Sequence, residues 1–335
     1  MTNLNELLKH TSRSLYLSAR LLPADVRGAF CIAYLLCRYA DSIADTPLLP
    51  AHERKQWVAL FPTFVARPQE KSWQKLPQTI SSSAINIYEE QLLRNLPACL
   101  SAYQQLPSWQ QGLVLEVVQA VCKGMEIDLQ TFPDEKSGEL KAFDSVADLE
   151  NYCHLMGGAP GVFWSKLIAH TVKLPLAQEK FLALGQNIGD ALQIVNILRD
   201  LPRDLRIGRC YFPQTELQQA ELTAQDLLQA ENVARFEPIK QKWISWGRKK
   251  LQAAFSYFEA LPKTQLAHRA AMAWPVLWAA DTLDKISHEP NLLDPAVRVK
   301  IPRSRIYLTM LATPPIWLSN TLFKKWLQHK LPGVK

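Results

Sequence analysis

Two segments constrain the fold more than anything else in the chain. Residues 24–45 (ADVRGAFCIAYLLCRYADSIAD) and 181–204 (FLALGQNIGDALQIVNILRDLPRD) are apolar at helical spacing on nearly every side, yet each carries one narrow polar stripe. In the first, Tyr34, Arg38, Asp41 and Asp45 fall at i, i+4, i+7 and i+11, which on a helix of 3.6 residues per turn is a single face. In the second, Gln193, Asn196, Asp200 and Asp204 fall at i, i+3, i+7 and i+11 and share a face in the same way. The other faces hold Phe30, Ile32, Leu35, Leu36 and Ile43 in one case and Leu184, Ile188, Leu192, Ile194 and Ile197 in the other, so both helices read as interior. A charged stripe on an interior helix needs an occupant opposite it.

Carboxylates one turn apart do not both stay ionised in a low-dielectric interior unless a cation neutralises them. Oxygen ligation by Asp, with Asn196 and Gln193 nearby, favours Mg²⁺, which keeps several waters and takes further ligands from phosphate oxygens. A single D-x-x-x-D is equally compatible with a solvated helix end. Two such pairs, each preceded by an arginine (Arg38, Arg199) and each closing an apolar helix, point instead to one internal polar site.

The rest of the chain is consistent with an all-α fold. Gly is scarce, at 12 of 335 residues, apolar residues recur at helical spacing, and alternating runs with hairpin turns are missing. Helices are expected near 3–21, 24–45, 51–65, 82–105, 109–129, 145–156, 159–171, 177–203, 223–260 with a break near Pro238, and 264–288. Ser145 with Asp148 and Thr223 with Asp226 match helix-start patterns. The polar stretch 66–82 reads as a connection within one domain spanning 1–335. Pro202, between Asp200 and Asp204, is expected to end or kink its helix.

Six scattered cysteines without C-x-x-C or zinc spacing read as reduced core residues. The N-terminus lacks the layout of a secretory signal, which predicts cytoplasmic residence. No apolar run is long enough for a transmembrane helix; the nearest, 306–323, is interrupted by Pro314 and Pro315. The tail 305–335 nevertheless mixes Trp317, Leu318, Leu322, Phe323 and Trp326 with Lys324, Lys325 and Lys330. It reads either as an amphipathic surface lying on the inner face of a membrane or as a terminal helix packed on the body. A net charge of +7 fits anionic partners without selecting among them.

Four blocks, taken in order, resemble the squalene and phytoene synthase family of head-to-head prenyl transferases: TSRSLYLSARLLP (11–23), YLLCRYADSIAD (34–45), NYCHLMGGAPG (151–161), and ALQIVNILRDLPRD (191–204) followed by GRCYFP (208–213). The resemblance implies an isoprenoid synthase fold with a central cavity and prenyl diphosphate substrates, and no nucleic acid. It implies that Asp41, Asp45, Asp200 and Asp204, supported by Gln193 and Asn196, hold Mg²⁺ against a diphosphate. Arg38, Arg199 and Arg209 are then candidate diphosphate contacts, and Tyr34 and Tyr152 match tyrosines near the reacting centre.

Within the family, TSRS (11–14) and VRVKIPRSR (297–305) resemble squalene synthases more than phytoene synthases, which makes Ser12, Arg13, Ser14, Lys300 and Arg303 candidate contacts for NADPH phosphates. The expected reaction joins two farnesyl diphosphates through presqualene diphosphate and reduces the product to squalene. Phytoene, dehydrosqualene or hydroxysqualene are the reductase-free alternatives, and 275–306 lacks the tyrosine often found there in the family. A non-catalytic scaffold of this fold would be expected to lose its aspartates, and all four are present. A terpene cyclase would not be expected to carry the ordered blocks around Tyr152 and Asn196.

Overall fold

The computed structural model describes residues 4–11, 14–76, 87–135 and 137–331. Its regular structure is almost wholly helical, as the spacing of apolar residues requires. The chain forms two compact units, Met1–Gln130 with Lys166–Thr171, and Thr131–Ser165 with Val172–Lys335.

The first unit contains α1 (Leu4–Thr11), α2 (Ser14–Leu21), α3 (Ala24–Asp45), α4 (Ala51–Ala66), α5 (Ile87–Arg94), α6 (Leu96–Gln104) and nearly all of α7 (Ser108–Thr131). The central element is α3. Val26, Ala29, Ile32, Leu35, Leu36, Ala40 and Ile43 are buried along it, as expected for a helix apolar on most sides. Pro23 precedes its first turn and Pro47 follows its last, which fits the poor tolerance of helix interiors for proline. The buried Arg54 of α4 donates to the carbonyl of Ala44 at 2.9 Å, satisfying part of the open end of α3.

The second unit begins with β1 (Lys141–Phe143), α8 (Val146–Cys153), a π-helical turn (His154–Gly158) and α9 (Ala159–Thr171), whose last residues belong to the first unit. It continues with α10 (Gln178–Asp204), β2 (Arg209–Pro213), α11 (Gln214–Gln219), α12 (Val233–Leu251), α13 (Ala253–Ala260) and α14 (Leu266–Ser287). The tail forms α15 (Arg303–Ala312), α16 (Pro314–Leu318) and α17 (Asn320–Lys330). The Ser145–Asp148 capping box starts α8, with both reciprocal hydrogen bonds present.

The glycines of NYCHLMGGAPG have a packing purpose. A Cβ at Gly157 would overlap the Gly189 carbonyl, and one at Gly161 would overlap that of Gly185. The π-turn and the start of α9 therefore cross α10 backbone to backbone, which only glycine permits.

Several expectations are corrected. The segment 223–260 is not one helix: Thr223 and Asp226 cap a short 3₁₀ turn (Gln225–Leu228), α12 runs through Pro238, and the break falls at Gln252. Pro238 is the sixth residue of α12, and the helix continues through it with only the bond to the Ala234 carbonyl given up. Nor does Pro202 end α10, which continues to Asp204. Pro202 sits in the last turn, so a single intrahelical bond is lost, and Arg206 donates to the Pro202 carbonyl at 2.6 Å. The parallel pairing of β1 with β2, through Lys141–Arg209 and Ala142–Cys210, was not expected from two short runs 65 residues apart. The tail packs on the body: Phe323 stacks on Phe258 at 4.0 Å, and fully buried Arg269 donates to the carbonyls of Phe258, Leu261 and Trp317 and to the Asn320 side chain.

Candidate functional site

The first acidic stripe belongs to α3 in the first unit. Arg38 is ion-paired to Asp41 one turn along and reaches Glu89 of α5 through Nη2 at 3.0 Å. Ser42 donates to the same Glu89 oxygen at 2.9 Å. Glu89 is buried, while Arg38 and Asp41 are about one-third exposed, with side-chain exposures of 31% and 33%. Burial opposes charge on Arg38, but Asp41 and Glu89 outweigh it and hold the guanidinium above its ordinary pKa. Asp45 closes the helix at the exposed end of the stripe. Tyr34 donates to the Thr11 carbonyl at 2.8 Å. Burial pushes its phenol up to about 12, partly offset by Arg38, so Tyr34 is a proton donor at neutral pH.

Sequence reasoning missed Glu89. Its signal was legible: Glu89 lies three, four and seven residues before Leu92, Leu93 and Leu96, and so places a carboxylate on the apolar face of its helix. A charge there is retained only with a partner, and the partner is Arg38.

The second stripe belongs to α10 in the second unit. Arg199 grips Asp200 with two hydrogen bonds, Nε to Oδ1 at 2.9 Å and Nη2 to Oδ2 at 2.6 Å. These bonds raise the Arg199 pKa against the opposing effect of burial, and Asp204 adds to them. Gln193 and Asn196 are half-buried on the same face, and Gln193 packs beside Gly157 of the π-turn.

After Asp204 the chain makes one turn, Leu205–Ile207, and Gly208 at φ +86 swings it into β2. Only a residue without Cβ fits this left-handed position beside the Glu139 carbonyl. The turn delivers Arg209, which pairs with Glu135 at 3.3 Å, and Tyr211. The Tyr211 ring stacks on Tyr152 of α8 with centroids 5.0 Å apart and hydroxyls at 3.5 Å. Phe132 and Phe143 complete an aromatic cluster, 5.1 and 5.6 Å from Tyr211. Tyr152 was expected at the site; Tyr211 was missed, although a phenol between Cys210 and Phe212 in a five-residue strand is conspicuous once the strand is recognised.

The proposed dinucleotide contacts are not assembled into a site by these observations. Ser12 and Arg13 lie outside the described residues, and Ser14 is the first residue of α2. Lys300 is exposed, its carbonyl accepting from Lys285 at 2.7 Å, and Arg303 is an exposed residue at the start of α15.

The acidic stripes fit Mg²⁺ by the chemistry of their donors, hard carboxylate oxygens one turn apart. Among the described residues no three His, Cys, Asp or Glu side chains form a ready cage. An ion here would draw further oxygens from water and substrate, which is the usual habit of Mg²⁺.

A family model described as squalene/phytoene synthase matches residues 8–305, and the chain belongs to that family. It is similar to a bifunctional lycopene cyclase/phytoene synthase of Pyrenophora tritici-repentis, 29% identical over 259 residues that make up 76% of this chain and 41% of the relative. The chain thus spans about two-fifths of the first curated relatives it matches. It is also similar to the chloroplastic phytoene synthase 2 of Solanum lycopersicum, 25% identical over 276 residues, 81% of this chain and 75% of that protein.

Among solved structures, TcSQS in a ligand complex superposes with a TM-score of 0.78 at 19% identity, covering 98% of this chain and 91% of that one. A dehydrosqualene synthase gives 0.62 at 18% identity, covering 97% and 95%. At these identities the superpositions establish the all-α fold.

Proposed function

We propose that the chain is a Mg²⁺-dependent prenyl transferase that joins two farnesyl diphosphates head to head through presqualene diphosphate and reduces the product to squalene with NADPH. The observation that carries this reading is the recurrence of one device in a member of this family: an aspartate pair on an interior helix, with an arginine already bonded to one aspartate. The two compact units are proposed to act as one catalytic domain.

Asp41, Asp45, Asp200 and Asp204, with Asn196 and Gln193, would hold Mg²⁺, which supplies Lewis-acid stabilisation of the departing diphosphate. Arg38, Arg199 and Arg209 present forked donors suited to diphosphate oxygens. The buried Tyr152–Tyr211 pair offers aromatic faces to an allylic cation and keeps water from it. Tyr34, with its proton retained, can donate to a leaving oxygen but is a poor base. Ser12, Arg13, Ser14, Lys300 and Arg303 remain the proposed contacts for the NADPH phosphates. An apolar C30 product favours residence against the inner face of a membrane.

The reductase-free reading, with phytoene, dehydrosqualene or hydroxysqualene as product, has equal support, because the curated relatives above are phytoene synthases. Incubation with farnesyl or geranylgeranyl diphosphate and Mg²⁺, with and without NADPH, decides between the two. Squalene formed only with NADPH supports the first reading. A C30 product independent of NADPH, or a C40 product formed only from geranylgeranyl diphosphate, replaces it with the second. EDTA is expected to abolish turnover and added Mg²⁺ to restore it; undiminished turnover in EDTA would remove the metal from the reaction.

A further inference from the structure

The net positive charge of this chain arises at one end. Residues 1–294 hold 30 Lys and Arg against 31 Asp and Glu, whereas residues 295–335 hold eight Lys and Arg and no acid, so the whole net charge of +7 arises in the last 41 residues. That segment forms α15, α16 and α17, which all pack against α14.

The inner side of this layer is committed to the body. Thr313 accepts from Trp274 at 3.0 Å, Ile316, Phe323 and Leu327 are buried, and the Arg269 clasp holds the Trp317 carbonyl and Asn320. Arg305 and Lys330 turn to Asp281. The outer side carries Tyr307, Leu308, Leu311, Leu318 and Leu322 at 59, 59, 78, 56 and 45% exposure, half of the large apolar side chains exposed among the described residues. Lys324 and Lys325 are exposed two and three residues after Leu322. No helix among the described residues is long and apolar enough to cross a membrane.

We propose that the outer face of α15–α17 docks on an anionic lipid surface, the leucines entering the interface and Lys324 and Lys325 meeting the headgroups. Exposed leucines beside unneutralised lysines match an apolar layer covered by negative charge. A second copy of the chain fits poorly, because an isologous contact would set this acid-free basic segment against itself. The layer binds while remaining docked, since releasing it would strip Arg269 of two hydrogen-bond acceptors. The inference deepens the membrane placement proposed above and does not depend on which product is made.

The test is sedimentation of the full chain with vesicles of phosphatidylglycerol or of phosphatidylcholine, at low and high salt. Retention on phosphatidylglycerol that weakens with salt, and little retention on phosphatidylcholine, is expected. Each lysine near an anionic surface contributes about a fivefold factor in partition, so Lys324→Ala/Lys325→Ala should weaken binding about 25-fold. Leu308→Glu/Leu311→Glu should weaken it by about tenfold or more. Unchanged melting temperatures confirm that the variants fold, and the lysine pair stands as the test if the leucine pair does not.

Failure of the wild type to sediment with phosphatidylglycerol, or equal binding by the variants, overturns the proposal. So does a concentration-dependent dimer dissolved by Leu311→Glu without change in vesicle binding, which would give the face to a second copy. Binding without product from detergent-dispersed substrate would sink the enzymatic reading alone, and product without binding would sink the docking face alone.

Discussion

The two acidic stripes look alike in sequence and are held in different ways. On α3 the arginine is shared between its own helix and a buried carboxylate 51 residues away, so that Arg38, Asp41, Ser42 and Glu89 form one network. On α10 the arginine grips the adjacent Asp200, and the supporting structure is the turn and strand that follow Asp204, whose Tyr211 joins an aromatic cluster with Phe132, Phe143 and Tyr152. Similar carboxylate spacing therefore does not imply similar anchoring. The first stripe is fixed by long-range charge pairing, and the second by the path of the backbone around it.

The largest expected effect tests what the stripes share. Asp41→Asn and Asp200→Asn each remove a charge from a proposed Mg²⁺ site while keeping shape, and each should lower kcat on the order of 10³-fold. Single-turnover assays with farnesyl diphosphate, alongside circular dichroism melts, would check this. Near-normal turnover in either variant would show that the two stripes do not share a role.

The stripes, the all-α class and most helix positions were legible because helical periodicity is a local property of the sequence. Asp45 and Thr171 end their helices where the pattern ends. What escaped depends on partners distant in sequence. Glu89 is unremarkable until Arg38 is opposite it. Tyr211 gains its meaning from Tyr152, 59 residues earlier. The β1–β2 pairing joins two runs too short to be recognised singly. Pro202 does not end α10, which closes only two residues later; its missing N–H leaves the Leu198 carbonyl without that one intrahelical donor.

The next effect separates the stripes. Glu89→Ala leaves Arg38 and Ser42 without their buried acceptor and should destabilise the fold by about 2 kcal/mol, below the range for breaking a fully buried ion pair because Arg38 is partly exposed and keeps Asp41. Glu89→Gln keeps an oxygen for both donors and should cost about half as much. Chemical denaturation of both variants would check the order; equal losses would mean that the charge of Glu89 is irrelevant to the α3 network.

A second buried pair supports α10. Asp190 is buried and accepts from Lys250 at 2.8 Å. Burial raises the Asp190 pKa and Lys250 opposes that rise. Lys250→Met should cost about 2 kcal/mol at neutral pH, less than a fully buried pair because Lys250 is partly exposed. A carboxyl whose folded pKa is raised contributes stability that is present below its unfolded value and is lost as pH rises through the folded value. The Lys250→Met deficit should therefore shrink as pH falls through the folded pKa of Asp190. Melts at successive pH values would show it, and a pH-independent deficit would mean that the lost interaction is that of the lysine ammonium with the Trp246 ring, 5.0 Å away.

The smallest effect on stability is expected where the stripes differ most. Arg199 is about two-fifths exposed and its partner Asp200 similarly so, at 38% and 42%, and the pair spans adjacent residues whose backbone is already fixed by α10. Solvent screens such a pair, so Arg199→Ala should cost no more than about 1 kcal/mol. Its effect on substrate should be larger, because a forked donor for diphosphate is removed while the fold is left intact. Arg199→Ala should raise KM for farnesyl diphosphate with little change in melting temperature, and Arg199→Lys should recover only part of the loss. A destabilisation as large as that of Glu89→Ala would mean that the bidentate contact of Arg199 with Asp200 holds the end of α10 in place, and that both stripes are anchored by charge after all.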